Sequence, residues 1–188
     1  LLNRAELEAV SWGDDPEQVE YGAIYQSRFS VLYRAYQNGW VRDLEAVDLF
    51  AQGRPWLHDY ALFMALKRHF GMKSWIDWPD RAIRLRKPEA VARYEALLAD
   101  DIRFFTYLQY LFFRQWTALK TYINSLGIRI IGDLPIYVAL DSADVWAEPG
   151  FFQLDEEGRP VEVFGRPPGY FCAVRPLGGN PLYDYGPL

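Results

Sequence analysis

The sequence holds one cysteine, Cys172, and two histidines, His58 and His69. A single thiol excludes an internal disulfide framework and fits a reducing compartment. Neither histidine has a metal-ligand spacing to another His or Cys, so no metal site is expected. Both fall in helical stretches, as surface or packing residues. Positive charge is not in excess: 20 Lys and Arg face 25 Asp and Glu, for a net charge of −5, and no basic stripe stands out. That argues against a nucleic-acid partner. No apolar run approaches the length that spans a bilayer, and no signal-peptide pattern opens the chain. No internal repeat is visible. The expectation from these absences is a soluble, cytoplasmic protein with neither nucleic acid nor membrane as partner.

What is abundant is apolar and aromatic. Half of the 188 residues are hydrophobic, and aromatics reach 17%, with seven Trp and thirteen Tyr. The length suits one good-sized domain or two small ones. Aromatic residues at this density fit either a thick core or a surface that faces sugar, and core filling accounts for most of them.

Helical periodicity dominates the first two thirds. Asn3 followed by Glu6 reads as a capping box for a short helix. Tyr25, Phe29, Leu32, Tyr33 and Tyr36 then share one helical face, which Asn38-Gly39 is expected to end. Asp43 is placed to cap the next run, with Leu44, Val47 and Phe50 as its apolar face. Gly53-Arg54-Pro55 breaks that run, and Leu57 to Phe70 is helical again until Gly71. Lys73 to Lys87 reads as an aromatic and basic loop with at most a short helix. Its Trp75, Trp78, Arg81, Arg84 and Arg86 suit a sugar or anion contact, or an aromatic lid packed over helices, and the second is favoured. Pro88 with Glu89 opens another helix, with a break at Asp100-Asp101. Ile102 to Ile123 is apolar around most of its circumference, the mark of a buried helix.

Gly127 can stop that helix. Ile128, Ile130 and Ile131 follow as a short β-branched run of the kind found in strands covered on both faces. Gly132-Asp133 and Pro135 end it, which places Asp133 where a strand gives way to a loop, the edge at which parallel α/β folds do chemistry. Asp141 and Asp144 stand at the start of a short helix through Trp146. Phe151 to Leu154 and Pro160 to Phe164, separated by Asp155-Glu156-Glu157-Gly158, read as a hairpin. The tail from Gly165 to Leu188 is a long Gly- and Pro-rich loop whose interleaved Tyr170, Phe171, Tyr183 and Tyr185 argue against disorder.

Several blocks together resemble one family. They are Ile-Ile-Gly-Asp-Leu-Pro-Ile-Tyr-Val-Ala at 130–139, Asp-Ser-Ala-Asp-Val-Trp-Ala at 141–147, Phe-Gln-Leu-Asp-Glu-Glu-Gly-Arg-Pro at 152–160 and Gly-Asn-Pro-Leu-Tyr-Asp at 179–184. With Trp56–Gly71 and the Gln109–Trp116 run, they are similar to the 4-α-glucanotransferases, also called amylomaltases or disproportionating enzymes. Long blocks in the right order are far more specific than a lone short motif.

The resemblance implies a (β/α)8 barrel with insertions and a retaining double displacement on α-1,4-glucans. In that reaction one carboxylate attacks the anomeric carbon, a second serves as acid and then base, and a third steadies the transition state. It implies maltooligosaccharide partners and no metal or organic cofactor. The family's nucleophile lies in an Arg-x-Asp-His-Phe-type block that this sequence does not contain, and its other two carboxylates belong further downstream. No catalytic residue is therefore assigned in this chain, which is expected to be inactive alone. A barrel of this kind takes about 250 residues.

The chain thus reads as an internal fragment: an α/β, partial barrel with a helical insertion at 1–98, a barrel helix and strand at 99–140, and a short helix, hairpin and substrate-covering loop at 141–188. Asp133 matches the family's aspartate at the end of its third strand, as support for the active site or as an acceptor for loop N–H groups. Tyr170 and Phe171 match a loop that covers substrate, and Asn180 lies in its turn, so all four are candidate glucan contacts. Gly169 and Gly178 depart from the family's Asp and Trp, removing a carboxylate acceptor and a flat stacking face. Three roles are open: a piece of a transferase, a glucan-binding module without turnover, and a barrel-complementing fragment whose uncovered apolar faces would self-associate.

Overall fold

A computed structural model describes residues 1–15, 17–165 and 177–186. The helices are α1 (Arg4–Glu8), α2 (Tyr21–Gln52), α3 (Trp56–His69), α4 (Arg81–Arg84), α5 (Pro88–Leu97), α6 (Ala99–Ser125) and α7 (Ala143–Ala147). Single 3-10 turns occupy Trp75–Asp77 and Pro149–Phe151, and two short strands, β1 (Val163–Gly165) and β2 (Leu177–Pro181), pair antiparallel. The chain divides into two compact units, Leu1–Leu57 with Arg103–Ile128, and His58–Ile102 with Arg129–Leu188.

In the first unit, α1 begins with the expected capping box, Asn3 and Glu6 each accepting from the other's backbone N–H. Asn38-Gly39, by contrast, does not end a helix: α2 runs through it for 32 residues. Gly39 serves close packing instead. A Cβ there would lie 2.0 Å from Tyr107 Oη and 2.3 Å from Leu1 Cδ2, so no larger residue fits. Asp43, expected as a cap, is inside the same helix. Its carboxylate accepts from Arg42 Nε and from Tyr107 Oη, each at 2.8 Å. Around this pair Tyr33, Tyr36, Trp40 and Phe104 meet edge to face or tilted, 5.2–6.1 Å between centroids. The Arg54 guanidinium lies 3.9 Å above the ring centre of Phe50.

The apolar circumference of α6 is only half used. Phe104, Phe105, Tyr107 and Leu111 are buried, but Phe112, Trp116, Leu119 and Tyr122 are exposed. An apolar face is buried only where another element covers it, and no described residue covers this half. Residues 128–131 likewise form no strand. They run as coil, and Ile131 is 95% exposed. A parallel strand exists through ladder hydrogen bonds to its neighbours, and no described strand lies beside this segment.

The second unit is built on indoles. Trp75, Trp78 and Trp146 are at most 2% exposed, so the aromatic loop is core and not a sugar contact. Each indole N–H reaches a backbone carbonyl: Trp75 to Leu140 at 2.7 Å, Trp78 to Lys73 at 3.3 Å, Trp146 to Ile83 at 3.1 Å. Phe63 lies 5.8 Å from both Trp78 and Trp146. The arginines of this stretch are paired rather than solvated. Arg81 bonds Glu157, Arg84 donates to the Ile76 carbonyl, and Arg86 bonds Asp59 while stacking 4.4 Å over Trp146. His58 pairs with Glu95, and His69 meets Phe70 and Tyr94 edge to face.

Gly71 and then Met72 adopt left-handed conformations that close α3. The expected hairpin after Phe151 is narrow. Its turn is held by the Asp155 side chain, which accepts from Glu157 N and Arg159 N, and by one bridge, Leu154 to Pro160. Gly158 has φ +80°, and the edge of Trp75 fills the space its Cβ would take.

Candidate functional site

The second unit carries the loop between α6 and α7, which reaches its anchor at Leu140–Asp141. Asp141 does not cap α7. Ser142 does, its hydroxyl accepting from Val145 N. Asp141 turns to α3, where its Oδ2 lies 2.5 Å from Lys67 Nζ and its Oδ1 accepts from Trp75 N at 3.3 Å. Lys67 is only 7% exposed.

Beyond α7, the 3-10 turn sets Phe151 and Phe152 against the segment after β2. Gln153 N donates to Leu182 O, and Asp184 N to Phe151 O, each at 2.9 Å. Phe152 stacks on Tyr183 with centroids 5.2 Å apart and planes 27° from parallel. This small ladder frames a cleft of about 380 Å³. Asp144, Glu148 and Asp184 supply carboxylates to its lining; Phe151, Tyr183 and Tyr185 supply rings. Phe151 and Tyr185 are 62% and 84% exposed. Val138, from the loop that carries Asp133, completes the lining alongside Phe152.

Such a surface offers flat apolar faces next to anionic acceptors. The C–H face of a pyranose suits the first, and its hydroxyl groups, as donors, suit the second. The size falls within the range of small-ligand clefts. Nothing in the arrangement sets two carboxylates into distinct acid and base roles, so its chemistry is binding. Among the described residues no group of three or more His, Cys, Asp or Glu converges as a metal site.

The residues singled out in the sequence are dispersed. Asp133 is in exposed coil, and Asn180 sits half-buried on β2; neither lines the cleft. Tyr170 and Phe171 lie outside the described residues, as does Cys172. Asp144, expected as a helix-start residue, does occupy the first turn of α7, and it also faces the cleft. Sequence reasoning missed Glu148 and Phe151 altogether. The signal for Tyr183, Asp184 and Tyr185 was their regular aromatic spacing in a Gly- and Pro-rich tail, but their pairing with 151–153 is a long-range contact that no local pattern announces.

Flat rings beside carboxylates, on a frame of irregular loops over packed helices, define a protein segment of the carbohydrate-active class. Comparison with known proteins agrees. The family model described as 4-alpha-glucanotransferase matches residues 1–188. The chain belongs to the 4-alpha-glucanotransferase family. It is 43% identical over 190 residues to a 4-alpha-glucanotransferase of Clostridium butyricum, covering all of this chain and 39% of that one. With the 4-alpha-glucanotransferase of Thermus thermophilus the identity is 45% over 193 residues, covering 100% and 38%. The solved structure of the amylomaltase from Streptococcus agalactiae in complex with acarbose superposes with a TM-score of 0.92 at 39% identity, over 98% of this chain and 38% of that one. The chain thus spans about two fifths of the length of the relatives it matches.

Proposed function

We propose that the complete protein transfers a segment of an α-1,4-glucan to the 4-hydroxyl of an acceptor glucan, by a retaining double displacement, in the cytoplasm. The observation that carries this reading is the family match across every residue, at more than 40% identity to transferases from two unrelated bacteria. In this reading residues 1–98 are a helical insertion, 99–140 a helix and strand of a (β/α)8 barrel, and 141–188 the loops that face substrate. Residues 128–131 would take up their strand only beside partner strands, and Ile128, Ile130 and Ile131 are exposed and free to do so. The same uncovered face would drive self-association of the chain alone.

The chain's own part is to bind and orient. Asp133, Tyr170, Phe171 and Asn180 are proposed glucan contacts from the family pattern. Phe151, Tyr185 and the neighbouring carboxylates of the cleft are proposed as a second set, resting on their exposure and chemistry. The attacking carboxylate and the acid/base lie in blocks this sequence lacks, and no metal or cofactor is called for. Purified chain incubated with maltotriose is therefore expected to leave it unchanged. Appearance of glucose together with longer maltooligosaccharides would show that the chain is active by itself. Titration with maltoheptaose is expected to change tryptophan fluorescence, with the change reduced in Phe151→Ala and Tyr185→Ala. A wild-type response that both variants retain in full would exclude the cleft.

A further inference from the structure

We propose that Lys67 is a positioning residue for the loop that carries Asp133 and Val138, a role that presupposes the glucan-facing function proposed for that loop. Residues 128–139 are exposed coil, and what restrains them is what holds their ends. One end leaves α6 through Leu126-Gly127. The other is gripped at two consecutive residues. Trp75 Nε1 donates to the Leu140 carbonyl, and Lys67 Nζ and Trp75 N both donate to the Asp141 carboxylate.

Lys67 is built to hold still. It lies in the last turn of α3, where the helix dipole favours a cation. Its own backbone carbonyl accepts from Met72 N, and its ammonium donates to Met72 O at 3.2 Å. The closing turn of α3 therefore fixes the lysine from both sides, and the lysine fixes Asp141. A solvated surface pair contributes little because both side chains are free to wander. Here the cation is almost fully buried and its acceptors come from two rigid pieces of backbone, so the position of the charge is determined. The Asp141 carboxylate is 39% exposed and gains its fixed place from its donors. No other cation contacts Asp141 among the described residues.

Hydrogen exchange on the whole chain tests this. Lys67→Met should speed exchange of the amides at 134 and 136–141 by about tenfold or more, since a loop released at one end opens at little cost. The indole N–H resonance of Trp75 should shift with it, as Leu140 moves. Asp141→Asn removes the anion from the more exposed partner and should give the same pattern even if Lys67→Met does not fold. Lys67→Arg keeps the charge and both acceptors and should restore part of the protection. Asp59→Asn breaks the Arg86 pair of the same unit and should leave the loop at wild-type rates. Wild-type exchange at 136–141 in Asp141→Asn, or acceleration spread evenly over α3, α5 and the loop, would overturn the proposal, the second by showing a role in stability alone. Loop exchange is read without glucan, so failure of maltoheptaose to bind would count against the functional reading and not against the clamp.

Discussion

The two units enclose aromatic cores of similar density but opposite polar design. In the first, Tyr36, Trp40, Phe104 and Tyr107 close around an ionised group, Asp43, whose side chain is only 10% exposed. In the second, Trp75, Trp78 and Trp146 close around each other, and every indole N–H ends on a backbone carbonyl. A carbonyl does not titrate. The second core should therefore keep its strength across pH, while the first depends on the state of one carboxyl and one phenol. The difference also bears on position. Carbonyl-bonded indoles tie distant backbone segments together, 75 to 140 and 146 to 83, which suits the unit that carries the loops.

The largest effect is expected where that tie is cut in the second core. Trp146→Ala removes a fully buried ring, opens a cavity between Phe63 and Trp78, and leaves the Ile83 carbonyl without its indole donor. Loss of about 3–5 kcal/mol is the usual scale for such a truncation. Urea unfolding followed by exchange of the α3 amides should show it; a loss below about 1 kcal/mol would mean the indole is not what closes this core. Next comes Gly39→Ala in the first. Helix propensity alone favours alanine by about 1 kcal/mol. The Tyr107 hydroxyl, 2.0 Å from the added Cβ, opposes it by overpacking on the order of 1–3 kcal/mol. Net destabilisation is expected, and it should shrink in a Tyr107→Phe background, where the offending oxygen is gone. A stabilised Gly39→Ala protein would refute the close approach.

Gly39 also shows where sequence legibility ends. The capping box at Asn3, the stop at Gly71, the proline start of α5 and the break near Asp100 are local chemistry, and each was readable from a few adjacent residues. Asn38-Gly39 carries the same local signature of a helix end, yet the reason for the glycine sits 68 positions away at Tyr107, by the numbering alone. Asp43 and Asp141 misled in the same manner: both have the composition of a cap, and both are claimed by a distant partner, Tyr107 and Lys67. Residues 128–131 have the composition of a buried strand, but composition supplies no neighbour to pair with. For the candidate site, the family blocks pointed to the right stretches of chain. The pairing of 151–153 with 182–184 that shapes the cleft is a long-range fact, and so is the anchoring of Leu140–Asp141.

The smallest effect, and the one that separates the two cores most cleanly, is their response to pH. Hydrogen bonds from Arg42 and then Tyr107 hold the Asp43 carboxyl down, from 3.8 to about 2, against the opposing effect of desolvation. A depressed carboxyl pKa stabilises the fold above its unfolded value, and that contribution is lost as pH falls from about 4 towards 2. Burial first, and the hydrogen bond to Asp43 second, push the Tyr107 phenol from 10.0 up to about 12. A raised pKa stabilises the fold below the unfolded value, and that contribution is lost as pH climbs from 10 through 12. Exchange protection of α2 should therefore stay level between about pH 4 and 10 and drop on both sides. With solvent screening and an exposed Arg42, the acid drop should be on the order of 1 kcal/mol. Subtracting the Tyr107→Phe curve from wild type isolates the pair from other titrating groups. The difference must be largest on the plateau and fall on the alkaline side, because only wild type has a phenol to ionise. Exchange in α3, beneath the indoles, should show no such difference between the two proteins. If the wild-type and Tyr107→Phe curves for α2 run parallel from pH 9 to 12, then the phenol does not answer to the buried aspartate, and the contrast between an ionisable core and a carbonyl-bonded one fails.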